Sequence, residues 1–82
     1  MRVAVRFFAM YRERAGVSHT EVELPEGSSP AQLLVHLRSE FPSLPAEAPV
    51  LIAVNSEYVS DEAVLQDGDE VAFIPPVSGG ER

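Results

Sequence analysis

The chain has 82 residues, a formal net charge of −7 and no cysteine, so we expect one small domain without disulfides, thiolate metal sites or a cysteine nucleophile. The acidic balance argues against nucleic acid as a partner, because phosphates attract basic surfaces, and it favours a partner with a basic surface. No apolar run approaches the roughly 18 residues of a membrane span, and the N-terminus has no signal-peptide core, so we expect a cytoplasmic protein without membrane contact.

The first part of the chain predicts two strands joined by a short helix. Apolar residues alternate with small or charged ones over residues 3–7, which is the period-2 pattern of a strand. Residues 10–15 are rich in helix formers and end at Gly16, a common helix stop. Residues 21–24 alternate again, and we expect this second strand to pair with the first.

A longer helix is predicted from about Ser29 to Phe41. Ser29 and Gln32 have the spacing of a capping box, and Pro30 suits the first helical position. Pro42 ends the helix, because the residue before a proline disfavours helical geometry. The apolar stripe, which we expect to pack on a sheet, contains Leu33, Leu34, Leu37 and Phe41.

Three further strands are predicted after a proline-rich linker over residues 43–49. The expected elements are a strand over 50–54, a turn over 55–57, a short strand at 58–59, a turn over 67–69 and a last strand over 70–74. The run over 50–54 is continuously apolar, which fits a strand buried on both faces. Pro75-Pro76 cannot donate ladder hydrogen bonds, so strand pairing should end there.

This order of elements predicts an α+β fold, with one main helix across one face of a mixed sheet of about five strands. Such an arrangement is compatible with the β-grasp topology. We place the domain at residues 1–76 and a C-terminal tail without periodicity at residues 77–82. His19 and His36 are far apart and lack metal-ligand spacing, so we predict no metal site.

The run from Asp67 to Gly80, DGDEVAFIPPVSGG, resembles the C-terminal signature of the small, MoaD-type subunits of molybdopterin synthase, a family of ubiquitin-like sulfur carriers. Three other segments resemble the same family: Phe7-Phe8-Ala9 followed by Tyr11-Arg12-Glu13, Ala53-Val54-Asn55, and the approach to the last strand from Leu65 to Glu70. The resemblance spans the chain from the first strand to the tail. It implies a ubiquitin-like β-grasp fold and a role as sulfur carrier.

The resemblance further implies that Gly80 carries the sulfur, with Gly79 beside it. A bare carboxylate is a poor electrophile, so a ubiquitin-activating-type adenylyltransferase (MoeB-type) uses ATP to adenylate the terminal glycine, and sulfide then replaces AMP to give a thiocarboxylate. The large subunit of the synthase (MoaE-type) would hold the pterin precursor that receives the sulfur. This chain is expected to bind no cofactor and not to be catalytic alone.

The tail suits insertion into a partner's pocket. Glycine has a narrow cross-section and backbone freedom, and the prolines at its base favour an extended form. The six residues from Pro75 to Gly80 would reach roughly 20 Å if extended.

The body of the domain should provide a docking surface. Strand alternation places Phe8 on the face of the first strand opposite Val5 and Phe7. It likewise places Ile74 on the face of the last strand opposite Val71 and Phe73. The residues that the resemblance implies for partner binding are Phe8, Tyr58, Ile74, Pro75, Pro76, Val77 and Ser78.

Glu81 and Arg82 follow Gly80, whereas in the family the second glycine is the last residue. With them attached, Gly80 has no free carboxylate to adenylate. We expect a processing protease to remove them; alternatively they were added to the chain, or the chain is not a working carrier. The residues also leave open a carrier for another pathway (transfer-RNA thiolation, cysteine or thiamine synthesis, or protein conjugation) and a β-grasp interaction module without tail chemistry.

Overall fold

Five strands and two helices form the part of the chain that a computed structural model describes, residues 1–44 and 50–75. In chain order they are β1 (Arg2–Phe7), α1 (Met10–Ala15), β2 (His19–Glu23), α2 (Pro30–Glu40), β3 (Leu51–Val54), β4 (Glu57–Val59) and β5 (Glu70–Ile74). Most of the predicted linker (45–49) and the tail, with the last residue of the predicted domain (76–82), lie outside the described residues. Neither helix is long and apolar enough to cross a membrane, within those described ranges.

The five strands form one mixed sheet in the order β2-β1-β5-β3-β4. β1 pairs with β2 in antiparallel fashion, as predicted, with α1 in their connection. β5 lies between β1, to which it is parallel, and β3, to which it is antiparallel. The predicted mixed sheet with one main helix is therefore confirmed, and the topology is that of the ubiquitin-like β-grasp fold.

The capping box of α2 is formed as predicted. The backbone N–H of Gln32 donates to Ser29 Oγ at 3.3 Å, and the backbone N–H of Ser29 donates to Gln32 Oε1 at 2.9 Å. Pro30 occupies the first turn, where its missing N–H costs nothing. The helix ends at Glu40, and Phe41 caps it with a backbone N–H that donates to the carbonyl of Leu37 at 2.7 Å.

The core lies between the sheet and the two helices. Leu33 and Leu37 on α2 are fully buried, as predicted, and Leu34 is half-buried against the same cluster. Tyr11 brings α1 to this side of the sheet. The remaining buried members of the cluster are Val3, Val5, Phe7, Val22, Leu24, Leu44, Ile52, Leu65, Val71 and Phe73.

Three details of the strands differ from the prediction. The run over 50–54 is not buried throughout: Ile52 and Ala53 are buried, but Leu51 is 41% exposed, because the helices cover one face of the sheet and Leu51 points to the other. Glu57 belongs to β4, where it pairs with Val54, and not to the turn. β2 begins at His19 and ends at Glu23, because pairing with β1 extends to polar residues that alternation of apolar side chains does not reveal.

Candidate functional site

The sheet face opposite the helices carries a depression, which we call the docking face. Its apolar residues are Phe8, Ala53, Tyr58, Ala72 and Ile74, and its polar residues are Arg6, Ser56 and Glu70. Strand register explains the grouping, because Tyr58 pairs with Ala53 and Ala53 pairs with Ala72 across three strands. The small alanine side chains form the floor, and the larger side chains stand around it. Tyr58 is 70% exposed and Phe8 39%, so both aromatic rings are accessible. The structure thus brings the predicted Phe8, Tyr58 and Ile74 together.

An ion pair borders the docking face. Arg6 Nη1 lies 3.6 Å from Glu70 Oε2, and both side chains line the depression. The Arg6 guanidinium also lies 5.8 Å from the centre of the Phe8 ring, within the range of a cation–π contact. An apolar surface with a charged edge is typical of a protein-binding site, in which the edge contributes orientation more than affinity.

The β1–β2 edge of this sheet face is charged. The guanidinium of Arg2 donates to Glu21 and to Glu23, both at 3.2 Å. These two hydrogen bonds raise the pKa of Arg2 above its usual value. Charged side chains that are already paired and hydrated offer little to an apolar partner surface, so the docking face is confined to the β1–β5–β3–β4 side of the sheet.

The turn between β3 and β4 is fastened to the start of β5. Asn55 Nδ2 donates to Asp69 Oδ1 at 3.0 Å, and Asn55 Oδ1 accepts from the N–H of Glu70 at 3.0 Å. The N–H of Asn55 also donates to the carbonyl of Glu70 at 2.8 Å. Because this turn leads directly into β4, these bonds determine where Tyr58 stands.

The last strand before the predicted tail, β5, is the middle strand of the sheet. β5 ends at Ile74, which pairs with Leu51, and Pro75 follows half-buried. Strand pairing stops at this proline as predicted, since it has no N–H to donate. The other predicted tail contacts, Pro76, Val77 and Ser78, and the predicted sulfur-carrying pair, Gly79 and Gly80, lie outside the described residues.

Sequence reasoning did not identify five residues of this site: Arg6, Ala53, Ser56, Glu70 and Ala72. Period-2 alternation could have found Arg6 and Ala72, which share a face with Phe8 and Ile74 on the same strands. Ser56 carried no such signal, because its place depends on how the turn folds.

Comparison with known proteins places the chain among sulfur carriers. A family model described as the ThiS family matches residues 5–80. A molybdopterin synthase sulfur carrier subunit of Arabidopsis thaliana is 41% identical over 81 residues, covering 98% of this chain and 84% of that protein.

Solved structures agree with this. A putative molybdopterin converting factor subunit 1 of Pyrococcus furiosus superimposes with a TM-score of 0.85 at 37% identity, covering 94% of this chain and 99% of the other. A complex of subunits 1 and 2 of the molybdopterin-converting factor of Helicobacter pylori contains a chain that matches with a TM-score of 0.66 at 26% identity, covering 98% of this chain and 100% of the other. The chain belongs to the ThiS family, in the group that contains the molybdopterin synthase sulfur carrier subunits.

Proposed function

We propose that this chain is the sulfur carrier subunit of a molybdopterin synthase and that Gly80 carries the sulfur. The observation that carries the proposal is the extent of the family match, which runs through the domain and ends at residue 80, taking in both glycines of the tail. The Arabidopsis relative, which is a molybdopterin synthase sulfur carrier subunit, favours this recipient pathway over other sulfur carriers.

The proposed chemistry takes place on the carboxylate of Gly80. An oxygen of this carboxylate attacks the α-phosphorus of ATP held by an activating adenylyltransferase, and pyrophosphate leaves. Sulfide (HS⁻) then attacks the glycyl carbonyl, the bond from carbon to the AMP oxygen breaks, AMP departs with its electron pair, and the sulfur loses its proton to water. The product is a glycyl thiocarboxylate, a nucleophile that transfers its sulfur to the pterin precursor. ATP therefore binds to the activating enzyme and not to this chain.

The docking face is the proposed contact with the large subunit. The Helicobacter complex of two subunits supports a partner of this kind. Aromatic anchors at the centre of an interface commonly supply most of its binding energy, and Phe8 and Tyr58 are accessible for that role. Ile74 joins this surface to the tail, so a partner that binds the docking face would receive the tail beside it. Pro75, Pro76, Val77 and Ser78 are the proposed contacts inside the partner's channel.

Gly80 must be released before it can be activated. Glu81 follows it in the chain, so the carbonyl carbon of Gly80 lies in a peptide bond and offers no carboxylate to ATP. We therefore propose that a protease cleaves after Gly80. The two residues before the cleaved bond, Gly79 and Gly80, have no side chains that could hinder the protease.

The test is thiocarboxylation in vitro, with the activating adenylyltransferase of the same organism, ATP and a sulfide donor, followed by intact mass measurement. A chain that ends at Gly80 should gain the mass of one oxygen-to-sulfur exchange. A chain that ends at Glu81 is the matched control and should remain unchanged. Failure of the chain that ends at Gly80 to react would refute the carrier function, and reaction of the control would refute the need for processing.

A further inference from the structure

Backbone strain in the described residues is concentrated beside the docking face. Among the described residues other than glycine, three have a positive φ: Ala9 at 53°, Asn55 at 52° and Ser56 at 75°. Ala9 directly follows Phe8, and the other two form the turn before β4, which carries Tyr58. Unfavourable backbone conformations persist where the surrounding structure holds them, and they often mark functional sites.

Ser56 is the least expected of the three. The β3–β4 connection is a two-residue hairpin turn with positive φ at both positions, a conformation for which Asn-Gly is strongly preferred. Asparagine tolerates this region and Asn55 is held there by its bonds to Asp69 and Glu70. Serine at the second position has a β-carbon, which makes positive φ unfavourable, whereas glycine has none.

The Ser56 side chain is exposed and lines the docking face. Its hydroxyl forms no hydrogen bond to the part of the chain that the structure describes, residues 1–44 and 50–75. The turn is already fastened through Asn55, so a hydroxyl at the next position adds nothing to its anchoring. A strained residue with an unused polar group on a binding surface suggests that the partner uses that group.

We propose that Ser56 is a recognition residue of the docking face, whose hydroxyl hydrogen-bonds to a polar group of the large subunit beside the apolar contact of Tyr58. The net charge of −7 on this chain favours a basic partner surface. The hydroxyl oxygen therefore accepts a hydrogen bond from an arginine or lysine of that surface. This inference rests on the proposed function, because it assigns a residue to the same interface.

Two substitutions separate the hydroxyl from the strain. Ser56→Ala keeps the β-carbon and removes the hydroxyl, so the melting temperature should stay unchanged while the Kd for the large subunit rises about tenfold or more, the usual effect of one lost hydrogen bond to a charged group. Ser56→Gly removes both, so its melting temperature should be equal or higher, by up to about 4 °C, while its affinity falls as in Ser56→Ala. A residue with a purely structural role would not produce greater stability together with weaker binding.

The measurement is calorimetric titration of the full chain and each variant with the purified large subunit of the same organism, and Phe8→Asp serves as the reference for loss of the docking face. Weaker binding of both Ser56 variants supports the proposal. If Phe8→Asp binds weakly and Ser56→Ala binds as tightly as the wild type, the Ser56 proposal is overturned while the docking face stands. If Phe8→Asp itself binds as tightly as the wild type, the docking face of the proposed function is wrong, and the Ser56 proposal falls with it.

Discussion

Replacing Leu37 with alanine tests how strongly α2 is held on the sheet. Leu37 is fully buried within a cluster that includes Leu33 and the sheet residues, so its truncation removes apolar contacts and leaves a cavity. Such changes cost 2–5 kcal/mol, and we take about 3 kcal/mol for this site. For a domain of this size, that loss lowers the melting temperature by roughly 12 °C or more. It is a large fraction of a total stability of about 4–12 kcal/mol.

The assay is urea unfolding followed by far-ultraviolet circular dichroism, with Val35→Ala as the matched control on the same helix. Val35 is 63% exposed, so its truncation should change the free energy of unfolding by less than about 0.5 kcal/mol. The slope of the unfolding free energy against urea concentration should be the same in both variants, because each exposes nearly the same surface area on unfolding. A loss below about 1 kcal/mol for Leu37→Ala would contradict the packing of α2 on the sheet.

Three further outcomes are expected. Phe8→Asp should weaken binding of the large subunit at least tenfold with little change in melting temperature, whereas Val17→Asp, at a similarly exposed apolar residue, should leave affinity unchanged in the same titration. Gly80→Ala, in a chain that ends there, should slow thiocarboxylation followed by mass, about a hundredfold if the reacting carbonyl is displaced, and leave the melting temperature unchanged. Burial raises the pKa of the Tyr11 hydroxyl above its ordinary value of 10.0, so the contribution of the neutral Tyr11 to the free energy of unfolding is fully present below pH 10 and is lost as pH rises through the higher folded-state pKa. Tyr11→Phe should therefore lose less stability at alkaline pH in urea titrations. An equal loss in that variant would show that another group causes it.

Local signals explain why the sequence predicted α2 and β5 well. The capping box of Ser29 with Gln32 determines where the helix begins, and Pro42 prevents its continuation; both act over a few residues. β5 is bounded by a turn at Gly68 and by Pro75, which again act locally. Neither element needed knowledge of its neighbours in space, so composition and spacing were sufficient.

Leu51 shows where this reasoning fails. A continuous apolar run indicates that both faces of a strand avoid water, but not whether the same chain or a partner covers the second face. Here the helices cover one face, and Leu51 and Ala53 belong to the other. An apolar residue kept for docking and one kept for the core look the same in a sequence.

Contacts between residues far apart in the chain were also beyond sequence reasoning. Asn55 and Asp69 are 14 residues apart and were predicted as members of two separate turns. Their hydrogen bond requires that β3 and β5 be neighbours in the sheet, which depends on the topology. The place of Ser56 on the docking face follows from that bond, and so no pattern in the sequence revealed it.

The central place of β5 has a mechanical consequence. A protease or unfoldase that pulls on the C-terminus loads β5 along its own axis, and the strand is held by β1 on one side and β3 on the other. The hydrogen bonds of both ladders lie across the direction of pull, so they are loaded together in shear and do not open one at a time. Forced unfolding is governed by the rate of crossing that barrier rather than by equilibrium stability. A carrier with this geometry can therefore have its tail gripped, inserted and withdrawn by successive partners while the domain stays folded.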